Sequence, residues 1–215
     1  MPILLTKQID SSVSYCVWQI TETEEFFFSH LRLAPADEKY IRSQILPVRR
    51  LEKLACRAAL AHLLETDYVP VSYRSDDAPQ LDGFYLSFSH CKNYSAAVLS
   101  SVSPVGIDIE PIGERILKLS HKFLNNRELE SFDLSNKIQM HFCWGAKEAL
   151  YKASPEKISN YVDDLRILGD FPHCFGEIVA KPRSRHLKLY SEVIDGQMLV
   201  VCYWSHRSFG GVNIY

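Results

Sequence analysis

The strongest constraint in this sequence is the segment Val105–Glu110, in which apolar and acidic residues alternate. Such alternation predicts a half-buried β-strand. Residues two apart leave a strand on the same face, so Asp108 and Glu110 should point the same way. Ile107 and Ile109 should point the opposite way, into a core. The strand therefore presents a pair of carboxylates on one surface.

A second segment, Trp144–Lys152, has the spacing of a helix. Trp144, Glu148 and Lys152 are four residues apart and fall on one stripe of that helix. If this stripe faces the strand, Glu148 adds a third carboxylate to the pair. Small alanines on the buried side would let the helix lie close to a sheet.

Three carboxylates around one point suit a hard divalent cation, so Asp108, Glu110 and Glu148 are candidate Mg²⁺ ligands. Lys152, one turn beyond Glu148, could balance phosphate charge. Each motif also has a simpler interpretation. Acids two apart on a strand usually form its solvated face, and a Lys-Glu pair on a helix is usually a surface ion pair.

Together the two motifs resemble the 4′-phosphopantetheinyl transferase superfamily. The strand has the sequence Gly106-Ile107-Asp108-Ile109-Glu110, and the helix has Trp144-x-x-Lys147-Glu148-Ala149-x-x-Lys152. The chain has 215 residues, with roughly the first half preceding the strand motif, and this is similar to the Sfp-type class. The resemblance extends from about residue 48 to residue 167.

Composition restricts the class of protein. The sequence is 47% hydrophobic and 23% charged, so it can form a packed core as one large domain or two small ones. The formal net charge of −2 argues against a nucleic-acid binder that relies on bulk charge. The six cysteines are scattered without a C-x-x-C pair, which predicts reduced thiols in a cytoplasmic protein. No apolar run reaches membrane-spanning length, so we expect no membrane partner.

A long helix is predicted to begin at Pro47 and to carry Arg50, Lys53 and Arg57 on one face. Such a basic face is usually solvated surface. The resemblance implies a different role, because an arginine-containing helix in this place contacts the phosphates of coenzyme A in the family. Arg50 and Arg57 are therefore candidate coenzyme A ligands.

Ser89 and His90 end a predicted strand, 85–90, and resemble the family's S-x-S-H segment. A hydroxyl and an imidazole can both donate to a phosphate, so both are candidate coenzyme A ligands, although a lone histidine is more often structural. The sequence departs from the family where Ala78 replaces a common lysine near the coenzyme A phosphates. Arg74 and Lys92 are candidates to replace it.

Other signals predict the remaining elements. Thr21-x-x-Glu24 predicts a helix start, and Asn125 or Asn126 should cap a short helix. Glu128 in that helix is either an acid near the metal or an ordinary first-turn glutamate favoured by the helix dipole. Asp195-Gly196 predicts a hairpin turn, and a last strand is expected at 211–215.

The resemblance implies an α+β fold of two similar halves that form an internal pseudo-dimer, each with a helix packed on a small antiparallel sheet. Residues 1–103 would be the half that binds the nucleotide of coenzyme A. Residues 104–215 would carry the metal-binding and catalytic motifs, with the site in the cleft between the halves. A pseudo-dimer favours a monomer in solution. A weak likeness between the halves includes Ser89-His90 and Ser205-His206.

The implied reaction is Mg²⁺-dependent transfer of 4′-phosphopantetheine from coenzyme A to a serine of an acyl or peptidyl carrier protein, releasing adenosine 3′,5′-bisphosphate. Glu148, directly or through a water, would take the serine proton, and Lys152 would stabilise the leaving phosphate. Two alternatives stay open. One is a coenzyme A or carrier-protein binding module without transferase activity, and the other is a Mg²⁺-dependent phosphohydrolase.

Overall fold

The computed structural model describes residues 2–75, 78–180 and 183–204. Its α-helices are α1 Glu24–His30, α2 Pro35–Arg42, α3 Pro47–Leu63, α4 Asn126–Ser131, α5 Lys137–Ala153 and α6 Tyr161–Asp164. Its first strands are β1 Ile3–Asp10, β2 Val13–Gln19, β3 Arg32–Leu33, β4 Tyr68–Val69, β5 Ser72–Tyr73, β6 Pro79–Gln80, β7 Tyr85–Cys91 and β8 Tyr94–Ser100. The later strands are β9 Val105–Pro111, β10 Leu165–Leu168, β11 Phe175–Ile178, β12 Arg185–Ile194 and β13 Gln197–Tyr203. Two 3₁₀ helices, Glu114–Lys118 and Ser120–Lys122, follow β9.

Two antiparallel sheets form the body of the molecule. The first has the strand order β1-β2-β8-β7 and the second has the order β10-β11-β12-β13-β9. All strands of the first precede residue 101, and all strands of the second follow residue 104. The chain is therefore a mixed α+β fold, as expected, and the expected boundary lies in the connection between β8 and β9.

The sheets pack face to face, with one long helix on each outer face. Val17 and Val98 of the first sheet share a buried cluster with Ile107, Ile109 and Val201 of the second. On the outer face of the first sheet, α3 packs against β2 and β8, and on the outer face of the second, α5 packs against β9 and β13. The order of layers is helix, sheet, sheet, helix, and β9 is covered on both faces. The prediction of a half-buried strand is therefore wrong, because β9 is buried except at its last residues.

Glycine lets α5 lie directly on its sheet. A Cβ on Gly106 would overlap the carbonyl oxygen of Ala149, and one on Gly145 would lie 2.8 Å from Cγ2 of Val200. Both contacts are closer than side chains tolerate. The glycine of the strand motif is thus required for the helix carrying Glu148 to approach the strand carrying Asp108.

Side chains join the facing edges of the two sheets. The backbone N–H groups of Ile107 and Ile109 donate to the hydroxyls of Ser87 (3.3 Å) and Ser89 (3.2 Å). The last residues of β7 are thereby fixed beside the acidic strand β9.

Several local predictions are confirmed. Helix α3 begins at Pro47. Asn125 caps α4 in a capping box with Glu128, and both Asp195 and Gly196 have positive φ in the turn between β12 and β13. One predicted helix start is wrong. Helix α1 is capped by Thr23, whose hydroxyl accepts from the backbone N–H of Phe26, and not by Thr21.

Some elements were not predicted from the sequence. Strand β1 and the short helix α6 are the largest of these, because β1 ends in polar residues and α6 has one turn. The expected strand 211–215 and the Ser205-His206 pair lie outside the described residues. In the described ranges, none of the helices has the length and apolar character needed to span a bilayer.

Candidate active site at the cleft between the sheets

The carboxylate of Asp108 lies between β9 and α5 at the centre of the candidate site. Its residue is only 2% exposed. Oδ1 accepts hydrogen bonds from Nζ of Lys152 at 2.8 Å and from the hydroxyl of Ser89 at 3.0 Å. The strand and helix motifs and the end of β7 therefore meet at one carboxylate oxygen.

The other oxygen, Oδ2 of Asp108, is buried and has no hydrogen-bond partner among the described residues. A buried carboxylate oxygen without a partner is costly, because it has lost its water without gaining a donor. Such an oxygen is expected where a further group, for example a cation, completes the site.

Glu110 is partly buried and lies near two other carboxylates. Burial, together with the nearby carboxylates of Asp108 and Glu148, raises the pKa of its carboxyl to about 7 against the opposing effect of Lys152. Two like charges in one partly desolvated site disfavour the ionised form. The three acids therefore interact electrostatically, and a cation would relieve their repulsion.

Glu148 is held by a residue that the sequence did not single out. The hydroxyl of Tyr161 in α6 donates to Oε1 of Glu148 at 2.7 Å. The tyrosine belongs to no motif, and its one-turn helix gives no periodic signal. Only the folded chain brings it to Glu148.

Oxygen donors of this kind suit Mg²⁺, although they are not a ready-made cage. Over residues 2–75, 78–180 and 183–204, no group of three or more His, Cys, Asp or Glu residues is arranged so that it could hold a metal ion. Mg²⁺ usually binds through one or two carboxylates and keeps water and substrate phosphates as its other ligands. The unpartnered Oδ2 of Asp108 and the raised pKa of Glu110 fit that mode of binding, and the three-carboxylate site stays a prediction.

A cavity of about 1040 Å³ opens beside this network, between residues of both halves. It reaches the site at Lys152 and His90, and residues 151–158 form part of its wall. Among the residues that the structure describes, its charged lining residues are Lys53, Arg57, Arg74, Lys152, Lys157, Asp82 and Glu156. Five cationic and two acidic side chains favour an anionic ligand, and the volume is at the large end for small-molecule sites.

Lys152 connects the cavity to the acids. Besides Asp108, its ammonium donates to the Ser89 hydroxyl at 3.1 Å and to the carbonyl oxygen of Ile107 at 2.9 Å. All three donors are in use, and the side chain is 25% exposed. Ser89 is only 6% exposed and its hydroxyl joins Asp108, Lys152 and the β9 backbone. The Ser89 hydroxyl therefore bridges the carboxylate of Asp108 and the ammonium of Lys152.

His90 lines the cavity with Nδ1 lying 3.3 Å from Oε2 of Glu52. That approach lacks hydrogen-bond geometry, so Nδ1 has no partner among the described residues. Burial lowers the pKa of His90, as do the charges of Lys53, Arg49 and Lys152, while Glu52 opposes them. The imidazole is therefore mostly neutral at neutral pH before an anion binds.

The two predicted arginines have different surroundings. Arg57 lines the cavity but is 3% exposed and pairs through two nitrogens with Asp37, at 2.9 and 2.7 Å. Arg50 pairs with Glu24 and donates to the carbonyl oxygen of Gln44, and it does not occur among the described residues that line the cavity. Arg50, Lys53 and Arg57 all belong to α3, as predicted, but of these three only Lys53 and Arg57 line the cavity.

The position of the replaced lysine is also at the cavity. Ala78 lines it, and so does Arg74. Of the two candidates to replace the missing lysine, Arg74 is therefore at the cavity, whereas Lys92 is an exposed turn residue with φ of 46°. Lys157, from the opposite side of the cleft, is a further cation that sequence reasoning did not consider.

Glu128 has a structural environment. It is 2% exposed, and its carboxylate accepts from Nζ of Lys147 at 2.7 Å and from the backbone N–H groups of Asn125 (2.9 Å) and Ile167 (2.7 Å). The interpretation of Glu128 as an acid near the metal is therefore wrong. Its oxygens are used for the capping box and for the helix α5.

None of the six cysteines has the environment of a nucleophile. All are free and buried, and burial raises the pKa of the thiols, to about 12 for Cys91 beside the site. A thiolate is needed for nucleophilic attack, so these thiols are unreactive in the folded protein.

The comparison with known families agrees with the two motifs. Residues 104–194 match the 4′-phosphopantetheinyl transferase superfamily. No curated protein matches the sequence closely enough to add to this comparison. The superfamily recognised from the strand and helix motifs is confirmed over this region, which contains Asp108, Glu110, Glu148 and Lys152, and the match supports a transferase. The residues before 104, with the cationic helix α3, lie outside it.

Proposed function

We propose that this protein transfers the 4′-phosphopantetheine group of coenzyme A to a serine of an acyl or peptidyl carrier protein. The observation that carries the proposal is the position of Lys152. It lines the cavity and at the same time bonds to the buried Asp108 of the strand motif. A cationic cavity next to a cluster of acids suits transfer of a phosphoryl-linked group.

Coenzyme A is the proposed co-substrate because the cavity is large, open to both halves and rich in cations. Lys53, Arg57 and Arg74 line its N-terminal side, with His90 and Lys152 at the acidic end. In this arrangement the nucleotide phosphates lie towards α3 and the pyrophosphate lies towards Lys152. Arg50, bound to Glu24, is not assigned a contact.

Mg²⁺ is the proposed metal, with Asp108, Glu110 and Glu148 as the residues that would hold it. When bound, it would neutralise pyrophosphate charge and polarise the attacked phosphorus. The unpartnered Oδ2 of Asp108 supports its presence in the working enzyme.

The protein's own residues account for the proton and the leaving group. The carrier serine oxygen forms a bond to the pantetheine-side phosphorus, and the bond from that phosphorus to the bridging oxygen breaks. The serine proton goes to Glu148, whose Oε1 is already hydrogen-bonded by Tyr161. Adenosine 3′,5′-bisphosphate leaves with the bridging oxygen, and Lys152 and His90 face the charge that develops there.

The proposed class is Sfp-type, with residues 1–103 binding the nucleotide and residues 104–215 carrying the catalytic motifs. A monomer and a cytoplasmic location remain predictions from the sequence.

The test is incubation of the purified protein with coenzyme A, Mg²⁺ and a panel of fatty-acid, polyketide and peptide-synthetase carrier proteins. Intact-mass spectrometry of the carriers should show the gain of one phosphopantetheine, and omission of Mg²⁺ should prevent it. Loss of coenzyme A without a gain on any carrier would indicate a phosphohydrolase. Binding of coenzyme A without either change would indicate the binding module that the replacement at Ala78 favours.

A further inference from the structure

Helix α6 is fixed to α5 by two consecutive residues of the helix motif. Nζ of Lys147 donates to the carbonyl oxygens of Val162 at 2.9 Å and Leu165 at 2.5 Å, one within α6 and one just after it. The next residue, Glu148, accepts from Tyr161 at the start of α6. Lys147 therefore holds the helix that presents the tyrosine to Glu148.

The tyrosine ring is held independently of its hydroxyl. It lies 6.2 Å from the ring of Trp144 and 6.1 Å from the ring of Tyr151, which are one turn before and one turn after Glu148 on α5. Asn160 caps α6 by accepting from the N–H groups of Val162 and Asp163. A ring fixed on both sides can hold its hydroxyl at one position.

We propose that Tyr161 is a positioning residue for Glu148, which fixes one carboxylate oxygen so that the other faces the metal and the substrate serine. This inference rests on the proposed function. A tyrosine hydroxyl is protonated at neutral pH, so it serves as the donor in this hydrogen bond. Carboxylate ligands of metals are commonly held by such a second hydrogen bond.

The arrangement explains why lysine precedes glutamate in the helix motif. Without Lys147, the carbonyl oxygens of Val162 and Leu165 lose their donor and α6 loses its attachment to the helix. The side chain of Glu148 could then turn among its rotamers, because Tyr161 is the one donor to Oε1 in the part of the chain that the structure describes. The effect of Lys147 on the site passes through α6.

The test compares Tyr161→Phe with Tyr94→Phe, which also removes a tyrosine hydroxyl that donates to a carboxylate, that of Asp195 in the β12–β13 turn. Binding of Mn²⁺, measured from the free-ion signal in electron paramagnetic resonance, does not depend on catalysis. Tyr161→Phe should weaken Mn²⁺ binding roughly tenfold, the usual effect of removing a partner of a metal ligand. Tyr94→Phe should leave it unchanged.

A double-mutant cycle separates positioning from packing. In a Glu148→Gln background, the further change Tyr161→Phe should have no additional effect on Mn²⁺ binding, because its only route to the metal is removed. An equal effect in both backgrounds, or equal Mn²⁺ binding by Tyr161→Phe and Tyr94→Phe, would overturn the proposal.

Steady-state kinetics gives the second readout. Tyr161→Phe should lower kcat roughly tenfold and leave KM for coenzyme A unchanged, because the hydroxyl lies on the acid side and not in the nucleotide cavity. A raised KM with normal kcat would contradict positioning. If the wild-type protein modified none of the carriers, the proposed function would fail, whereas the Mn²⁺ cycle would still decide the role of Tyr161.

Discussion

Lys147 and Lys152 lie little more than one turn apart on α5, and each pairs with a buried carboxylate. The pair of Lys147 with Glu128 is closed, since the side chains are 0% and 3% exposed. The pair of Lys152 with Asp108 is open: the lysine is 25% exposed at the cavity, and one carboxylate oxygen has no partner within the described ranges.

The difference separates architecture from chemistry. Every donor of Lys147 and both oxygens of Glu128 are used within the protein, so this pair has no capacity left for a ligand. Asp108, Glu110 and Glu148 have more negative charge than Lys152 can balance, and such frustration is typical of functional sites. Lys147 and Glu148 are adjacent in one motif, but Lys147 belongs to the closed structural pair and Glu148 belongs to the acidic candidate site.

The largest expected effect is on catalysis, at Glu148 in the acidic site that contains the open pair. Glu148→Gln removes the proposed proton acceptor and should lower kcat for carrier modification by roughly 10²- to 10⁴-fold. Its circular dichroism spectrum should stay that of the wild type. Glu38→Gln, on the exposed surface of α2, is the matched control and should retain full activity. Near wild-type transfer by Glu148→Gln would remove this residue from the mechanism.

The next effect is on stability at the closed pair. Glu128→Gln leaves Lys147 buried and uncompensated and should lower the free energy of unfolding by about 3–5 kcal/mol, measured by urea denaturation. Asp108→Asn should cost clearly less, because only one of its oxygens is bonded. A larger loss for Asp108→Asn would reverse the comparison.

A smaller loss is expected where α5 contacts β9. Gly106→Ala places a methyl group against the carbonyl oxygen of Ala149 and forces the helix to shift. Overpacking of this kind costs about 1–3 kcal/mol, which thermal denaturation would detect. Because the shift separates Glu148 from Asp108, transfer activity should fall as well. A variant with wild-type melting temperature would show that the helix has more space than the contact indicates.

The smallest effect is a pH dependence in the absence of divalent cations. Because the pKa of Glu110 is raised from 4.5 in the unfolded chain to about 7 in the folded protein, its protonated form is favoured by folding. Its contribution to stability is present below pH 4.5 and is lost as the pH rises through 7.

Glu110→Gln should therefore increase the urea midpoint at pH 8 more than at pH 5, with EDTA present at both. Equal changes of the urea midpoint at the two pH values would show that the pKa of Glu110 is not raised in the folded protein. Addition of Mg²⁺ at pH 8 should stabilise the wild type and have less effect on the variant.

Much of the site could be predicted from the sequence because its signals are local. Two residues on a strand share a face, and residues four apart on a helix share a stripe, so the directions of Asp108, Glu110 and Glu148 follow from their spacing. The alanines of the helix motif predicted the close approach of helix and sheet, and the structure adds Gly106 and Gly145 to that contact. These periodicities hold in almost any fold that keeps the two elements.

The partners of the charged side chains could not be predicted in this way. Arg50 and Arg57 share a helix face in the sequence, but α1 supplies Glu24 to the first and α2 supplies Asp37 to the second. Ser89 is a candidate coenzyme A ligand, and its bonds to Asp108 and Lys152 could not be predicted from the sequence. Each of these partners comes from an element distant in the chain, so its identity depends on how the elements pack.

The sequence by itself determined the secondary structure around the motifs and the candidate residues for the proposed chemistry, because these depend on short spacings. Only the tertiary structure decided which charges are compensated. Over the described residues it paired Glu128 with Lys147, left Oδ2 of Asp108 without a donor and brought Tyr161 to Glu148. Desolvation and hydrogen bonding act through space, and a pattern along the chain does not contain the distances on which they depend.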